Sequence, residues 1–141
     1  MKNIVSVFFA LLLFSPMSSI AGDRTKISSE IVGAYLRIQE ALANDSMDGV
    51  ANAASELVKN TNQPNLKGAA ETLSRDLTLK GARTHFKTLS LAMNQWAKSE
   101  KPAGIDRYSC SMAHAPWLQK HGPIKNPYYG KQMQSCGELQ K

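Results

Sequence analysis

The sequence predicts an all-α protein, an antiparallel four-helix bundle followed by an irregular C-terminal hook that carries Cys and Met residues. Three observations lead to this fold class. Apolar residues recur at three- and four-residue steps in four successive stretches, as on one face of a helix. Short polar loops separate these stretches, and no alternation of apolar and polar residues indicates a strand. Four such helices pack most simply up and down in sequence order.

The first 21 residues have the organisation of a secretory signal peptide. Lys2 supplies the positive charge, residues 4–14 form an apolar run interrupted by one serine, and residues 19–21 end in a small-x-small cleavage site. This run of 11 residues is shorter than the roughly 20 that span a bilayer as a helix. We therefore expect a mature protein that begins near Gly22, resides in a bacterial periplasm and has no membrane span after cleavage.

The remaining residues, 22–141, are enough for a single domain. We expect the bundle over about 27–100 and the C-terminal hook over 105–141. The net charge of +6 becomes +5 once Lys2 is removed, and the excess forms no block of like charge. Because the chain is exported, this favours a soluble basic surface over a nucleic-acid interface, and no nucleic-acid partner is predicted.

The first two helices are marked by their caps and turns. Ser28 or Ser29 caps the first helix, which is expected to end near Ala43 because residues 44–46 have turn chemistry. Asp45 or Ser46 is then expected to cap the second helix. The apolar positions predicted to be buried are Ile31, Ala34 or Tyr35, Ile38 and Leu42 in the first helix, and Met47, Val50, Ala54, Leu57 and Val58 in the second.

The third helix should begin near Pro64, a residue suited to a first helical turn, and a break before the fourth is expected at Thr78 or Gly81. Residues 99–104, which include Pro102, should end the fourth helix. The predicted buried positions are Leu66, Ala69, Ala70, Leu73 and Leu77 in the third helix, and Ala82, Phe86, Leu89, Met93 and Trp96 in the fourth.

The hook is expected to be irregular. One short helical turn is predicted from Pro116 within residues 115–120, and residues 126–130 form a turn shaped by Pro127 and Gly130. An irregular segment longer than 30 residues is uncommon in a small domain unless something ties it down.

The residues that carry chemistry lie in the hook. Cys110 and Met112 form C-x-M, Met133 and Cys136 form M-x-x-C, and His114 follows Met112 by two residues. If the two ends of the hook meet, two thiolates, two thioethers and an imidazole converge. Cys and His alone would suit zinc, whereas thioethers favour Cu(I).

A disulfide is the competing interpretation, and the residue types alone leave the two about equally supported. An exported protein with two cysteines most often joins them. A bridge around the 25 residues between Cys110 and Cys136 would stabilise the fold by roughly 3 to 4 kcal/mol. An oxidised pair supplies no thiolate, so metal binding would then depend on reduction or on Met112, Met133 and His114.

Motifs for catalysis are missing from the sequence. It contains no G-x-S-x-G, no H-E-x-x-H and no Gly-rich phosphate loop, and its cysteines are too far apart for a C-x-x-C redox motif. We therefore do not expect an enzyme.

The sequence of the hook also resembles that of a known domain family. Its pattern Tyr-x-Cys-x-Met, a nearby Trp, then Asn-Pro-Tyr-Tyr-Gly-x-x-Met-x-x-Cys-Gly resembles the helical domain of unknown function found fused to, or encoded beside, periplasmic adaptor subunits of copper and silver efflux systems. Residues 34–45 of the first helix are also similar. Members usually have Pro between Cys and Met, where this chain has Ser111.

By this resemblance, metal handling is the implied role and Cys110, Met112, Met133 and Cys136 are the implied ligands. His114 is added from its spacing alone. The expected function is binding of a soft metal, Cu(I), for copper buffering, delivery or resistance, with a heavy-metal efflux adaptor or another envelope protein as partner. The alternative is a disulfide-stapled helical interaction module that docks on an envelope protein and binds no metal.

Overall fold

A computed structural model describes residues 27–141, so the predicted signal peptide lies outside the described residues. Helices come first and strands follow. The helices are α1 (Ser29–Ala43), α2 (Val50–Asn60), α3 (Pro64–Ser74) and α4 (Leu79–Glu100). They are followed by β1 (Ile105–Cys110), β2 (Ala115–Lys120), a short 3-10 helix (Gly130–Gln132) and β3 (Glu138–Leu139).

The predicted all-α fold is wrong, because the hook contains an antiparallel three-stranded sheet in the order β2-β1-β3. In β1 only Tyr108 and Cys110 are buried, so the strand alternation extends over too few residues to be recognised in the sequence. The helical turn predicted at Pro116 is also wrong. This proline lies in β2 and pairs with Ser109 of β1. Because β2 is an edge strand of the sheet, its missing backbone N–H is tolerated. The protein is therefore a mixed helix and sheet domain.

The four predicted helices are present, and most of their ends follow the predicted caps. Ser28 caps α1, with Ile31 N donating to Ser28 Oγ at 3.4 Å. Pro64 begins α3. The break before α4 falls at Thr78 rather than at Gly81, because Thr78 Oγ1 accepts from Gly81 N at 3.1 Å and caps the helix.

Two details of the helix prediction are wrong. Neither Asp45 nor Ser46 caps α2, which begins after Gly49 in the left-handed conformation with φ of 73°. The carboxylate of Asp45 is instead engaged by Arg83 of α4. Leu77 was expected in the core but is 92% exposed, because α3 ends at Ser74 and the connection to α4 carries this side chain into solvent.

The sheet completes the core that the helices begin. Consecutive helices pack against each other, and β2 packs against α4 and α1. The Tyr35 hydroxyl accepts from Leu118 N at 3.1 Å and bonds Ser90 Oγ at 2.7 Å, so α1 and α4 together cover the edge of β2. Within residues 27–141, no helix combines the length and the apolar character that a membrane crossing requires.

Candidate metal centre

Strand pairing brings the two cysteines of the hook together. Cys110 ends β1, and β3 pairs with β1 so that Tyr108 lies opposite Leu139 and Ser109 opposite Glu138. Continued by one residue, this register places Gly137 opposite Cys110, with Cys136 directly before it. Both thiols are free; Cys110 is 1% exposed, whereas Cys136 is partly exposed.

The two thiols interact with each other. Desolvation raises the pKa of Cys136, and the charge of Cys110, a side-chain hydrogen bond with Cys110 and the charge of Glu138 raise it further. The geometry comes from the strand pairing, which sets Gly137 opposite Cys110 and therefore Cys136 close to it. The two ends of the hook lie side by side, which is the condition that the C-x-M and M-x-x-C spacing required.

The turn between β1 and β2 places the first thioether and the imidazole at the surface. Ala113 N donates to Cys110 Sγ at 3.3 Å, which folds the turn back over the thiol. Met112 is 55% exposed and His114 is also exposed, with a left-handed φ of 49°. Met112 and His114 therefore lie on the solvent side of a buried sulfur.

The second thioether precedes Cys136 in one compact turn. Met133 follows the 3-10 helix and is half-buried. Cys136 N donates to Met133 O at 3.0 Å, so the backbone between the two residues is closed by a hydrogen bond. Each cysteine thus has a methionine from its own turn.

The donor set has a soft character. Within residues 27–141 no three His, Cys, Asp or Glu side chains form a group able to hold a metal ion, so His114 does not join the two cysteines in such a group. The donors that the hook offers are two thiols and the thioethers of Met112 and Met133. Thiolate ligands suit Cu(I) and zinc, and added thioether ligands favour the softer Cu(I), so the chemistry of these residues fits a soft metal.

Asn126 organises the hook from inside and was missed by the sequence analysis. Its side chain is fully buried: Oδ1 accepts from Tyr128 N at 2.8 Å and from Tyr129 N at 3.3 Å, and Nδ2 donates to Cys136 O at 2.7 Å. Its backbone N–H donates to Gln134 O at 2.8 Å. The available signal was Asn before Pro, which favours a turn closed by the Asn side chain.

A cluster of three aromatic rings, those of Tyr108, Trp117 and Tyr128, packs beside the hook. The Trp117 ring is fully buried, stacks on Tyr108 at 5.4 Å between ring centres and meets Tyr128 edge-on at 6.1 Å. Burial raises the pKa of Tyr128, and the charges of Tyr35 and Cys110 add to this effect. A Cβ on Gly137 would overlap the Trp117 ring, so the chain beside Cys136 passes directly over the indole.

An ion pair fastens the hook to the helices. Arg83 of α4 donates through Nε to Pro127 O at 2.8 Å, and through Nη2 to Leu42 O at 2.7 Å and Asp45 Oδ1 at 2.6 Å. Asp45 Oδ2 accepts from Lys131 N at 3.1 Å. The bonds from Arg83 and from the Lys131 backbone hold the pKa of Asp45 below its ordinary value.

Fold and site together define a small domain of four helices and one antiparallel sheet, with one free thiol at the end of β1 and a second just before β3. The chain belongs to the family described as "Protein of unknown function (DUF3347)", whose model matches residues 31–103. The helical domain of unknown function that the sequence predicts is confirmed to this extent. The match ends before β1, so Cys110 and Cys136 lie outside it. Comparisons with curated proteins and with solved structures gave no match.

Proposed function

We propose that the protein is exported and binds a soft metal ion, Cu(I), through the thiolates of Cys110 and Cys136. Met112 and Met133 are the proposed thioether ligands; His114, which lies on the same turn as Met112 but does not group with the two cysteines, is left out of the proposed ligand set. The observation that carries the proposal is the pairing of β1 with β3, which brings two free cysteines side by side, each followed or preceded by a methionine of its own turn. Binding requires both thiols to lose their protons, so metal uptake releases protons.

The proposed role is copper buffering, delivery or resistance in the periplasm. The resemblance of the hook to the domain that accompanies periplasmic adaptor subunits of copper and silver efflux systems supports this role. An efflux adaptor or another envelope protein is the proposed partner. The protein is proposed to have no enzymatic activity, since its sequence carries no G-x-S-x-G, H-E-x-x-H or C-x-x-C motif.

The same pair of neighbouring cysteines favours a second candidate, a disulfide-stapled interaction module that docks on an envelope protein without metal. Adjacent thiols in an oxidising compartment are readily joined. This candidate predicts that reduction lowers the thermal stability of the protein and that copper leaves it unchanged.

The mass of the intact mature protein distinguishes the two functions. The protein is purified from periplasm and measured under native conditions before and after anaerobic addition of Cu(I), with and without prior reduction. Stoichiometric copper uptake by the reduced form, lost in C110S/C136S, is the expected result. A form lighter by two hydrogens that takes up no copper even after reduction would leave the interaction module as the better account.

A further inference from the structure

An open cleft of about 540 Å³ lies beside the candidate metal centre, between α4 and the hook. Ala113, from the same turn as Met112, forms part of its wall. The residues that matter for its chemistry are the cations Lys80, Arg83 and Lys87 of α4 and the rings of Tyr128 and Tyr129.

Folding concentrates positive charge at this cleft. The stretch 77–99, which contains all of α4 except its last residue, Glu100, has no Asp or Glu, and neither does the stretch 107–137 of the hook. Lys80, Arg83 and Lys87 are spaced by three and four residues and therefore share one face of the helix. The cations are dispersed along the sequence, but two segments free of acids meet where the cleft is.

The lysine charges in the cleft lack carboxylate partners. Arg83 is paired with Asp45, whereas Lys80 and Lys87 form no ion pair within residues 27–141. Lys80 is exposed. Lys87 Nζ donates to Ala113 O at 2.9 Å and lies 5.8 Å from the centre of the Tyr128 ring, so its charge is held in place at the cleft wall.

We propose that this cleft docks an acidic segment of a partner protein. Its carboxylates pair with Lys80 and Lys87, and an apolar or aromatic side chain packs on Tyr129 and the exposed part of the cleft. Tyr is enriched in protein interfaces, and complementary charge fixes the register of a partner. A partner held here lies next to the turn that carries Met112. Docking itself needs no metal, so it holds or fails separately from the proposed copper binding.

The test uses the reduced, metal-free protein and a fluorescein-labelled peptide with glutamates around a single phenylalanine. Fluorescence anisotropy measures its affinity for the wild type, for K80Q/K87Q and for the matched control K59Q/K67Q. The control removes two exposed lysines from α2 and α3, away from the cleft. We expect K80Q/K87Q to bind about tenfold more weakly and the control to bind like the wild type.

Several results would overturn the proposal. Equal weakening in both variants would show attraction by net charge alone, and equal binding of a peptide with glutamines in place of the glutamates would show that charge is irrelevant. If the peptide changes the amide chemical shifts of residues far from Lys80, Lys87 and Tyr129, and not of these three, it binds elsewhere. Self-association of the wild type that K80Q/K87Q abolishes would make a second copy of the chain the occupant. Absence of binding would also count against the cleft.

Discussion

The side chain of Asn126 holds the backbone of Cys136, since its Nδ2 donates to the Cys136 carbonyl oxygen at 2.7 Å. The same side chain accepts from Tyr128 N and Tyr129 N. One buried amide therefore closes the turn at 126–130 and fixes the residue that carries the second thiol. The position of Cys136 relative to Cys110 depends on this contact as well as on strand pairing.

Asn126→Ala is expected to destabilise the fold by about 2 to 4 kcal/mol. The change leaves the buried N–H of Tyr128 and two part-buried groups, Tyr129 N–H and the Cys136 carbonyl, without their partner. An unsatisfied buried group costs about 1 to 3 kcal/mol, and a part-buried one costs less because water can reach it. Urea unfolding followed by circular dichroism measures the loss. Cys136 should also react faster with a chromogenic disulfide reagent, because its backbone is released.

Asn60→Ala is the matched control for this change. Asn60 is exposed, and its Nδ2 also donates to a backbone carbonyl, that of Glu56, at 2.9 Å. An exposed hydrogen bond of this kind should change the stability by less than about 0.5 kcal/mol. If the two variants lose similar stability, burial of the Asn126 amide does not fix the hook.

Gly137→Ala is expected to destabilise the protein by about 1 to 3 kcal/mol, the usual cost of overpacking. The added methyl group overlaps the Trp117 ring, which is fully buried between Tyr108 and Tyr128 and has little room to move. Denaturant unfolding gives the free energy, and tryptophan fluorescence measured in a Trp96→Phe background reports displacement of the Trp117 ring.

Gly68→Ala provides the comparison for this prediction. Gly68 lies inside α3, and a Cβ there meets no atom within 4 Å. Because alanine restricts the unfolded chain and suits a helix, this variant should be more stable by about 0.4 to 1 kcal/mol. A stable G137A protein with an unchanged emission spectrum would mean that the backbone at Gly137 is not packed on the Trp117 indole.

Asp45→Asn is expected to lower the thermal unfolding midpoint at pH 7 and to have no effect in strong acid. Folding lowers the pKa of Asp45, chiefly through its hydrogen bond from Arg83 and then through that from Lys131 N. The carboxylate therefore stabilises the fold above its unfolded-state pKa of about 3.9, and this contribution is lost as the pH falls through the lower folded-state pKa. The thermal unfolding midpoints of the wild type and of D45N should differ at pH 7 and become equal as the pH is lowered into strong acid.

Asp48→Asn is the control for the pH series. Asp48 is exposed and forms no ion pair in the described part of the chain. Its variant should follow the wild-type midpoint over the whole pH range. A difference between D45N and the wild type that persists in acid would assign the effect to hydrogen-bond geometry rather than to charge.

The helices could be predicted from the sequence because their signals are local. The apolar period in residues 29–43 and the cap at Ser28 act within a few residues of each other, and the structure has the same helix. The strands could not be predicted in this way. β1 buries only Tyr108 and Cys110, and β2 buries three residues in succession, so neither strand of this hairpin alternates clearly. β3 is two residues long and pairs with β1 across about 30 residues of chain.

The candidate donors could be named from the sequence, but what positions them could not. Cys110 and Cys136 stand out by their residue type. The roles of Arg83 and Asp45 are visible only after folding, because the two side chains are 38 residues apart and reach the hook from α4 and from the loop between α1 and α2. The local sequence of Asp45 indicates only a helix cap, a role that the structure does not give it.

Met112→Leu together with Met133→Leu is expected to weaken Cu(I) binding about tenfold, which corresponds to about 1.4 kcal/mol, and to spare the fold. Leucine keeps the volume and apolar character of methionine but removes the sulfur donor. Met112 is largely exposed and Met133 half-buried, so neither substitution disturbs a tightly packed core. Anaerobic competition with a chromogenic Cu(I) chelator measures the affinity, and urea unfolding checks the stability.

The matched control is M47L/M93L, which makes the same substitution at two methionines outside the hook and so removes two other sulfur atoms. Met93 is buried in α4 and Met47 is half-buried before α2. This variant should bind copper like the wild type, even if its stability changes slightly. Unchanged affinity in M112L/M133L would leave the two thiolates as the whole site and refute the thioether argument. Equal loss in both variants would indicate that methionine acts through folding rather than as a ligand.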